Sequence, residues 1–126
     1  MSVKIQESAE DYLESILILK EQRGSVRSID IVHHLNYSKP SVSRAMSLLR
    51  QNGYVTVDPE GLIELTAAGR AIAEPIYERH RLLTRWLTAL GVSPETAARD
   101  ACRLEHGLSD ETFEKLKAHI KTPEAE

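Results

Sequence analysis

Two short amphipathic helices joined by a tight polar link, with a hairpin directly after them, are the feature that most restricts the fold of this chain. Apolar residues at helical spacing predict helices over 28–35 and 39–51, and Asn36-Tyr37-Ser38 joins them. Ser38 is expected to cap the second helix, because Pro40 then falls in its first turn, where a missing N–H costs nothing. Alternating apolar residues on both sides of Asp58-Pro59-Glu60-Gly61 predict a β-hairpin. This order of elements is that of a winged helix-turn-helix.

The other periodic segments predict only helices. They are expected over 8–21, 66–90, 93–107 and 109–120. Ser8 is a suitable N-cap for the first of them, and Pro75 lies inside the longest, which it should kink or split. We therefore predict a mainly α protein with a small β-hairpin wing. Its parts are an N-terminal winged helix-turn-helix domain over 1–70, a C-terminal helical domain over 71–120 and a disordered tail over 121–126.

Composition excludes several classes of protein. No apolar run approaches about 18 residues, so no segment is expected to cross a membrane, and the acidic N-terminus is unlike a secretory signal. The single cysteine, Cys102, cannot form a disulfide within the chain and fits a reducing cytoplasm. A net charge of −3 over 126 residues argues against indiscriminate binding of polyanions. Any binding of nucleic acid therefore needs a local basic patch.

Such a patch lies on the predicted helix-turn-helix. Segment 27–57 has a local charge of +3, because Arg27 and three other cations stand against Asp30 alone. Arg44 can contact a guanine edge with two hydrogen bonds, and serine hydroxyls suit phosphate or either type of base. Four candidate DNA-contacting residues share the exposed side of the helix predicted over 39–51: Lys39, Ser41, Ser43 and Arg44. A solvated helix face is the plainer alternative, and the acidic tip of the wing should contact DNA poorly.

Three types of metal-ligating residue stand close together near the C-terminus. Cys102, Glu105 and His106 occupy positions i, i+3 and i+4 of a predicted helix, so they project from one side of it. A thiolate, a carboxylate and an imidazole together suit a borderline transition metal. The spacing alone is weak evidence, because a lone cysteine is most often a small buried residue and the other two are most often solvated.

Two further features favour a metal site. His80 interrupts an apolar stripe of the long predicted helix at a position where an aliphatic residue would be expected, although a satisfied core histidine is the alternative. Asp11 and Glu14 stand one turn apart on the first predicted helix, where a solvated acidic face is the alternative. Ile18 lies on the same side, which indicates that this side packs against something.

Segment 7–113, which contains these candidate residues, resembles the metal-dependent repressors of the diphtheria toxin repressor and manganese transport regulator family. Five motifs carry the resemblance, in the same order: Glu10-Asp11-Tyr12-Leu13-Glu14, Pro40-Ser41-Val42-Ser43, Leu65-Thr66-x-x-Gly69, Arg79-His80-x-Leu82-Leu83 and Cys102-Arg103-Leu104-Glu105-His106-x-Leu108-Ser109. We expect a short member of the family, without the SH3-like domain of the longer ones.

The resemblance implies a homodimeric repressor that binds operator DNA when Fe²⁺ or Mn²⁺ bridges the DNA-binding and dimerisation domains. It places the metal ligands at Asp11, Glu14, His80, Cys102, Glu105 and His106, and it adds Pro40 to the DNA-contacting residues. Asp11 and Glu14 resemble the ligands of manganese regulators, whereas Cys102 resembles a ligand of iron regulators. Zn²⁺, Co²⁺ or Ni²⁺ could bind in vitro. Thr84 and Ala98 replace the Glu and His of the ancillary site of iron regulators.

Large apolar residues are too frequent for so small a helical layer, and they imply a symmetric dimer interface. They are Leu83, Trp86, Leu87, Leu90, Leu108, Phe113 and Leu116.

An enzyme is not expected: a Cys–His or Glu–His cluster or a di-metal site could be catalytic, but a glycine-rich loop and a second nucleophilic constellation are absent from the sequence. Two non-enzymatic functions compete with a metal-dependent repressor. One is a winged-helix regulator that senses a small organic ligand, and the second is a metal-independent interaction module.

Overall fold

The computed structural model describes residues 3–124, and the side chains of residues 8–120. The chain divides into two compact units, Met1–Tyr77 and Glu78–Glu126, called here the N-terminal and the C-terminal unit. The elements in chain order are α1 (Val3–Arg23), α2 (Ser28–Leu35), α3 (Lys39–Gln51), β1 (Val55–Val57), β2 (Ile63–Leu65), α4 (Ala67–Ala89), α5 (Pro94–Gly107) and α6 (Asp110–Glu124). The predicted fold class, mainly α with a β-hairpin wing, is confirmed.

The link between α2 and α3 is fixed by local hydrogen bonds. Asn36 ends α2 in the left-handed conformation, with φ of 60°, which asparagine tolerates better than most residues. Ser38 Oγ accepts the N–H of Ser41 at 3.2 Å, as expected of the N-cap of α3. The two helices therefore meet through a short, ordered turn, and the sequence prediction of that turn is confirmed.

The hairpin and the start of α4 are held against each other by one motif. β1 and β2 pair antiparallel, with Val55 opposite Leu65. Thr66 Oγ1 donates to the carbonyl of Gly53 at 2.6 Å and accepts the N–H of Gly69 at 3.1 Å. A Cβ at Gly69 would lie 2.1 Å from the carbonyl oxygen of Tyr54, so only glycine allows this approach. The Leu65-Thr66-x-x-Gly69 motif is thus structural.

The cores of the two units differ in size. The core cluster of the N-terminal unit comprises Tyr12, Leu13, Ile16, Leu19, Val26, Ile31, Val42, Met46, Leu49, Val55, Ile63 and Ala73. The corresponding cluster of the C-terminal unit comprises Leu82, Phe113 and Ile120, with Trp86, Leu108 and Leu116 packed against it. The apolar cluster of the C-terminal unit is therefore the smaller of the two.

Several predicted helix limits were wrong. Ser8 lies inside α1 rather than at its cap, because Lys4, Gln6 and Glu7 are themselves good helix formers. Pro75 does not split α4: it is exposed, so the carbonyl that loses its N–H partner can bind water. α6 continues to Glu124, past the limit of 120 that was predicted for this helix; residues 125 and 126 of the expected tail lie outside the described residues.

The candidate dimer residues fall into two groups. Leu83 and Phe113 are 0% and 3% exposed within the single chain, so packing inside the chain already accounts for them. Leu90 is 65% exposed, and four others are half-buried: Trp86, Leu87, Leu108 and Leu116. Among the described helices, none combines the length and the apolar character needed to cross a membrane.

Candidate metal centre and DNA-binding helix

The exposed face of α3 carries most of the predicted DNA-binding residues. Lys39, Pro40, Ser43 and Arg44 are exposed. Ser41 is half-buried, and its hydroxyl accepts a hydrogen bond from Ser38 Oγ at 2.8 Å. The structure therefore ties Ser41 to the cap of α3 and leaves the other four side chains available to a ligand.

Aromatic packing connects α1 to the start of this face. The rings of Tyr12 and Tyr37 meet edge to face, with centroids 5.7 Å apart. Burial, the neighbouring Tyr37 and Asp11 all raise the pKa of Tyr12, whereas the positive charge of Arg44 opposes this rise. Tyr12 is therefore a neutral phenol at physiological pH, and it lies within electrostatic range of the α3 side chain that we expect to contact a base.

Arg27 is exposed but engaged with the wing. Its guanidinium donates to the carbonyl of Glu60, and its backbone N–H donates to Asp30 Oδ2 at 2.9 Å. Asp58 closes the wing turn by accepting the N–H groups of Glu60 at 2.9 Å and Leu62 at 2.8 Å. The acidic tip is consequently a defined turn, and part of the donor capacity of Arg27 is used in holding it.

Sequence reasoning overlooked a positive charge that pairs with Asp30. Arg23 at the end of α1 pairs with Asp30, with 3.2 Å between Nη1 and Oδ1. Asp30 was the only carboxylate counted against the basic segment, and its charge is offset by this pair. The signal was present in the sequence as an arginine seven residues before the aspartate, but nothing in the pattern indicated that they meet.

Glu105 is the central residue of the metal-ligand candidates in the C-terminal unit. Its side chain is 0% exposed. Its Oε1 lies 3.0 Å from His80 Nδ1 and its Oε2 lies 3.5 Å from His106 Nε2. The alternative of a solvated Glu105 is therefore wrong, and His80 is not an isolated core histidine. Two residues from α5 and one from α4 form a single polar cluster.

Cys102 lies on the same helix as two members of this cluster. It is exposed, so the alternative of a small buried residue is wrong. A ligand atom of Cys102 and one of His106 lie within 4.8 Å of each other. The i, i+4 spacing predicted from the sequence thus brings a thiol beside an imidazole.

The two remaining candidates belong to the N-terminal unit. Glu14 is only 5% exposed, and Asp11 is half-buried. A solvated acidic face is therefore excluded for Glu14. Burying a carboxylate is costly unless a cation or donors compensate it, so Glu14 has the environment expected of a metal ligand or a structural ion pair.

The donor set fits a divalent first-row transition metal. A buried carboxylate in contact with two imidazoles, and a thiol one helical turn from one of them, are oxygen, nitrogen and sulfur donors in one cluster. These residues are His80, Cys102, Glu105 and His106. The same cluster could exist without a metal only as a buried histidine–carboxylate network.

Comparisons with known proteins agree with this chemistry. Residues 4–62 match the family model of the iron dependent repressor N-terminal DNA binding domain, and residues 66–126 match that of the iron dependent repressor metal binding and dimerisation domain. The transcriptional regulator MntR of Escherichia coli O157:H7 is 36% identical over 112 residues, which are 89% of this chain and 72% of that protein. The diphtheria toxin repressor of Corynebacterium efficiens is 34% identical over 87% of this chain, which spans only 48% of that protein.

A solved structure of a metal-dependent repressor has a similar fold. It is described as a manganese-dependent transcriptional repressor complex with manganese, and it superimposes with a TM-score of 0.80 at 29% sequence identity. The match covers 90% of this chain, which spans about half, 52%, of the solved chain.

These matches define a class: a transcriptional regulator with a winged-helix DNA-binding domain and a metal-binding, dimerisation domain. More specifically, the chain belongs to the family of iron-dependent repressors, to which the diphtheria toxin repressor and MntR also belong. The family resemblance found in the sequence is confirmed. The activity of the family is metal-dependent transcriptional repression, with iron or manganese as the metal.

Proposed function

We propose that this chain is a homodimeric repressor that binds operator DNA when it holds Fe²⁺ or Mn²⁺. The observation that carries the proposal is the fully buried carboxylate of Glu105 between two imidazoles. A cluster of that composition inside a DNA-binding protein is expected to respond to a metal rather than to perform catalysis. A regulator acting in the cytoplasm, not an enzyme, is the function that fits.

The proposed ligands are Asp11, Glu14, His80, Cys102, Glu105 and His106. A divalent ion would supply the positive charge that the buried carboxylates require. Asp11 and Glu14 are proposed to join the other ligands because of their donor chemistry and, for Glu14, its burial. Ligands drawn from both units would favour one arrangement of the DNA-binding domains over a looser ensemble.

The proposed DNA contacts come from α3 and its surroundings. Arg44 is proposed to contact a base edge, and Lys39 to contact phosphate. Pro40, Ser41, Ser43 and Arg27 complete the proposed interface, with Arg27 also holding the wing. A symmetric dimer would place two such helices in successive major grooves, with centres about 34–36 Å apart.

The test is an electrophoretic mobility shift on labelled promoter duplexes from metal-uptake genes of the same genome. The protein is first treated with a chelator, and then Mn²⁺ or, anaerobically, Fe²⁺ is added. We expect no shift with chelator and a shift when either metal is restored. A shift that ignores the chelator would support a regulator of the organic-ligand type, and no shift on any duplex would support an interaction module.

A further inference from the structure

One arginine of the C-terminal unit makes an unusual number of contacts near the metal-ligand candidates. Arg79 Nη1 donates to the carbonyl of Glu105 at 3.1 Å and to the carbonyl of Leu108 at 3.0 Å. Its Nη2 donates to the carboxylate of Asp110, and its guanidinium lies 4.8 Å from the ring centroid of Phe113. The side chain is only 15% exposed. One side chain of α4 thus fastens the end of α5 and the start of α6.

These contacts satisfy a requirement of the end of α5. The last carbonyls of a helix have no partner within it, and Leu108 leaves α5 in an extended conformation, with φ of −94° and ψ of 138°. Arg79 supplies donors to two carbonyls of this turn. The planar guanidinium can serve several acceptors at fixed angles, whereas a lysine ammonium cannot reproduce that fork.

The residue that Arg79 fastens is the proposed ligand itself. Arg79 binds the main chain of Glu105, while the next residue along α4, His80, meets the Glu105 carboxylate at 3.0 Å. Two consecutive residues of α4 therefore fix both ends of Glu105. A rotation of the last turn of α5 would break the Arg79 contact and displace the carboxylate together with His106.

We propose that Arg79 is a positioning residue of the metal centre: it fixes the backbone of Glu105 so that the carboxylate is held for metal binding. The inference rests on the proposed function, in which Glu105 is a ligand. Loss of a residue that orients a metal ligand typically lowers metal affinity about tenfold to a hundredfold.

The test compares Arg79→Gln with a matched variant, Lys117→Gln. Lys117 also connects α6 to α4, through Glu78 at 2.8 Å, but no contact described for it involves Glu105. Mn²⁺ affinity is measured by competition with a fluorescent chelator, and the visible absorption spectrum of the Co²⁺-loaded protein reports the coordination geometry. Circular dichroism and the thermal midpoint of the metal-free protein check the fold.

We expect Arg79→Gln to bind Mn²⁺ about tenfold to a hundredfold more weakly and to change the Co²⁺ spectrum, at temperatures where circular dichroism shows it folded. Lys117→Gln should retain wild-type affinity and spectrum. If Arg79→Gln does not fold, Arg79→Lys takes its place, because an ammonium can keep one carbonyl contact; its Mn²⁺ affinity should then lie below that of the wild type. A folded Arg79 variant with wild-type affinity and spectrum, and only a lower thermal midpoint, would overturn the inference.

Glu105→Gln separates this outcome from failure of the proposed function. If Glu105→Gln binds Mn²⁺ like wild type, Glu105 is not a ligand and the proposed site fails. If Glu105→Gln loses affinity while folded Arg79→Gln keeps it, the site stands and only the positioning role is lost.

Discussion

The N-terminal unit is built around a large apolar core, whereas the C-terminal unit combines a small apolar cluster with a polar cluster around Glu105. Burial of apolar side chains stabilises a fold whatever ions are present. Buried carboxylates and imidazoles instead depend on their partners. The comparison therefore predicts that the apolar core of the N-terminal unit stabilises the fold whether or not metal is bound, and that the polar cluster of the C-terminal unit gains stability when metal is bound.

The largest effect is expected from Ile31→Ala in the N-terminal unit. Ile31 is 0% exposed in α2, which carries no proposed metal ligand, and removing a fully buried isoleucine typically lowers the free energy of unfolding by about 2–5 kcal/mol. The loss should be the same in chelator and in Mn²⁺, as measured by urea unfolding. Leu48→Ala is the control, because Leu48 is 52% exposed and its loss should change stability by less than about 0.5 kcal/mol. A loss at Ile31 that depended on metal would break the comparison.

Glu105→Gln should abolish the metal-dependent part of the stability. With free metal at a hundredfold excess over Kd, the wild type should gain about 2.7 kcal/mol of unfolding free energy, and the variant should gain almost none. Thermal unfolding with chelator and with Mn²⁺ measures both values. Glu95→Gln, an exposed carboxylate at the start of α5, should behave as wild type. Equal metal stabilisation of both variants would remove Glu105 from the ligands.

The sequence predicted the winged helix well because its signals are local. The Ser38 cap, the polar link and the turn at Asp58 each depend on residues a few positions apart, and the structure has all three. The start of α1 was missed because propensity, rather than one marker residue, decides it. At Pro75 the sequence left a kink or a split of α4 open, and only the split is excluded by the structure. The boundaries at 70 and 120 remain predictions.

The C-terminal unit was harder to predict because its contacts are long-range. The spacing of Cys102, Glu105 and His106 identified one helix face, but nothing local shows that Glu105 is fully buried against His80, 25 residues away. Arg79 was noticed only as part of a motif, because its partners at Glu105 and Leu108 follow from tertiary packing. Leu83 and Phe113 were assigned to a dimer interface because composition does not distinguish burial within a chain from burial between chains.

Arg44→Ala should sharpen the comparison on the DNA side. Loss of one bidentate base contact is expected to weaken operator binding by about 1–3 kcal/mol and to relax the preference at one base position. Mn²⁺ affinity should not change, because Arg44 belongs to the exposed face of α3. Arg50→Ala, at the other end of the same helix, is the matched control and should lower affinity uniformly across sequences. Wild-type operator binding by Arg44→Ala would mean that another residue reads the bases.

The smallest effect is expected from Cys102→Glu, which changes the choice of metal and leaves DNA contacts intact. Mn²⁺ prefers oxygen donors, whereas Fe²⁺ accepts a thiolate more readily. Cys102 is exposed beside His106, and a thiol must lose its proton to bind a metal ion. A carboxylate at this position has no proton to lose at neutral pH, and it should therefore favour Mn²⁺.

Because only one of six proposed ligands changes, the shift in the ratio of Fe²⁺ to Mn²⁺ activation midpoints should be less than about tenfold, or about 1.4 kcal/mol. Anaerobic titration of operator binding with each metal measures this ratio, and Cys102→Ser controls for loss of the thiol alone. An unchanged ratio in both variants would show that Cys102 does not coordinate the metal, and that the choice between iron and manganese is made by the buried carboxylates and imidazoles.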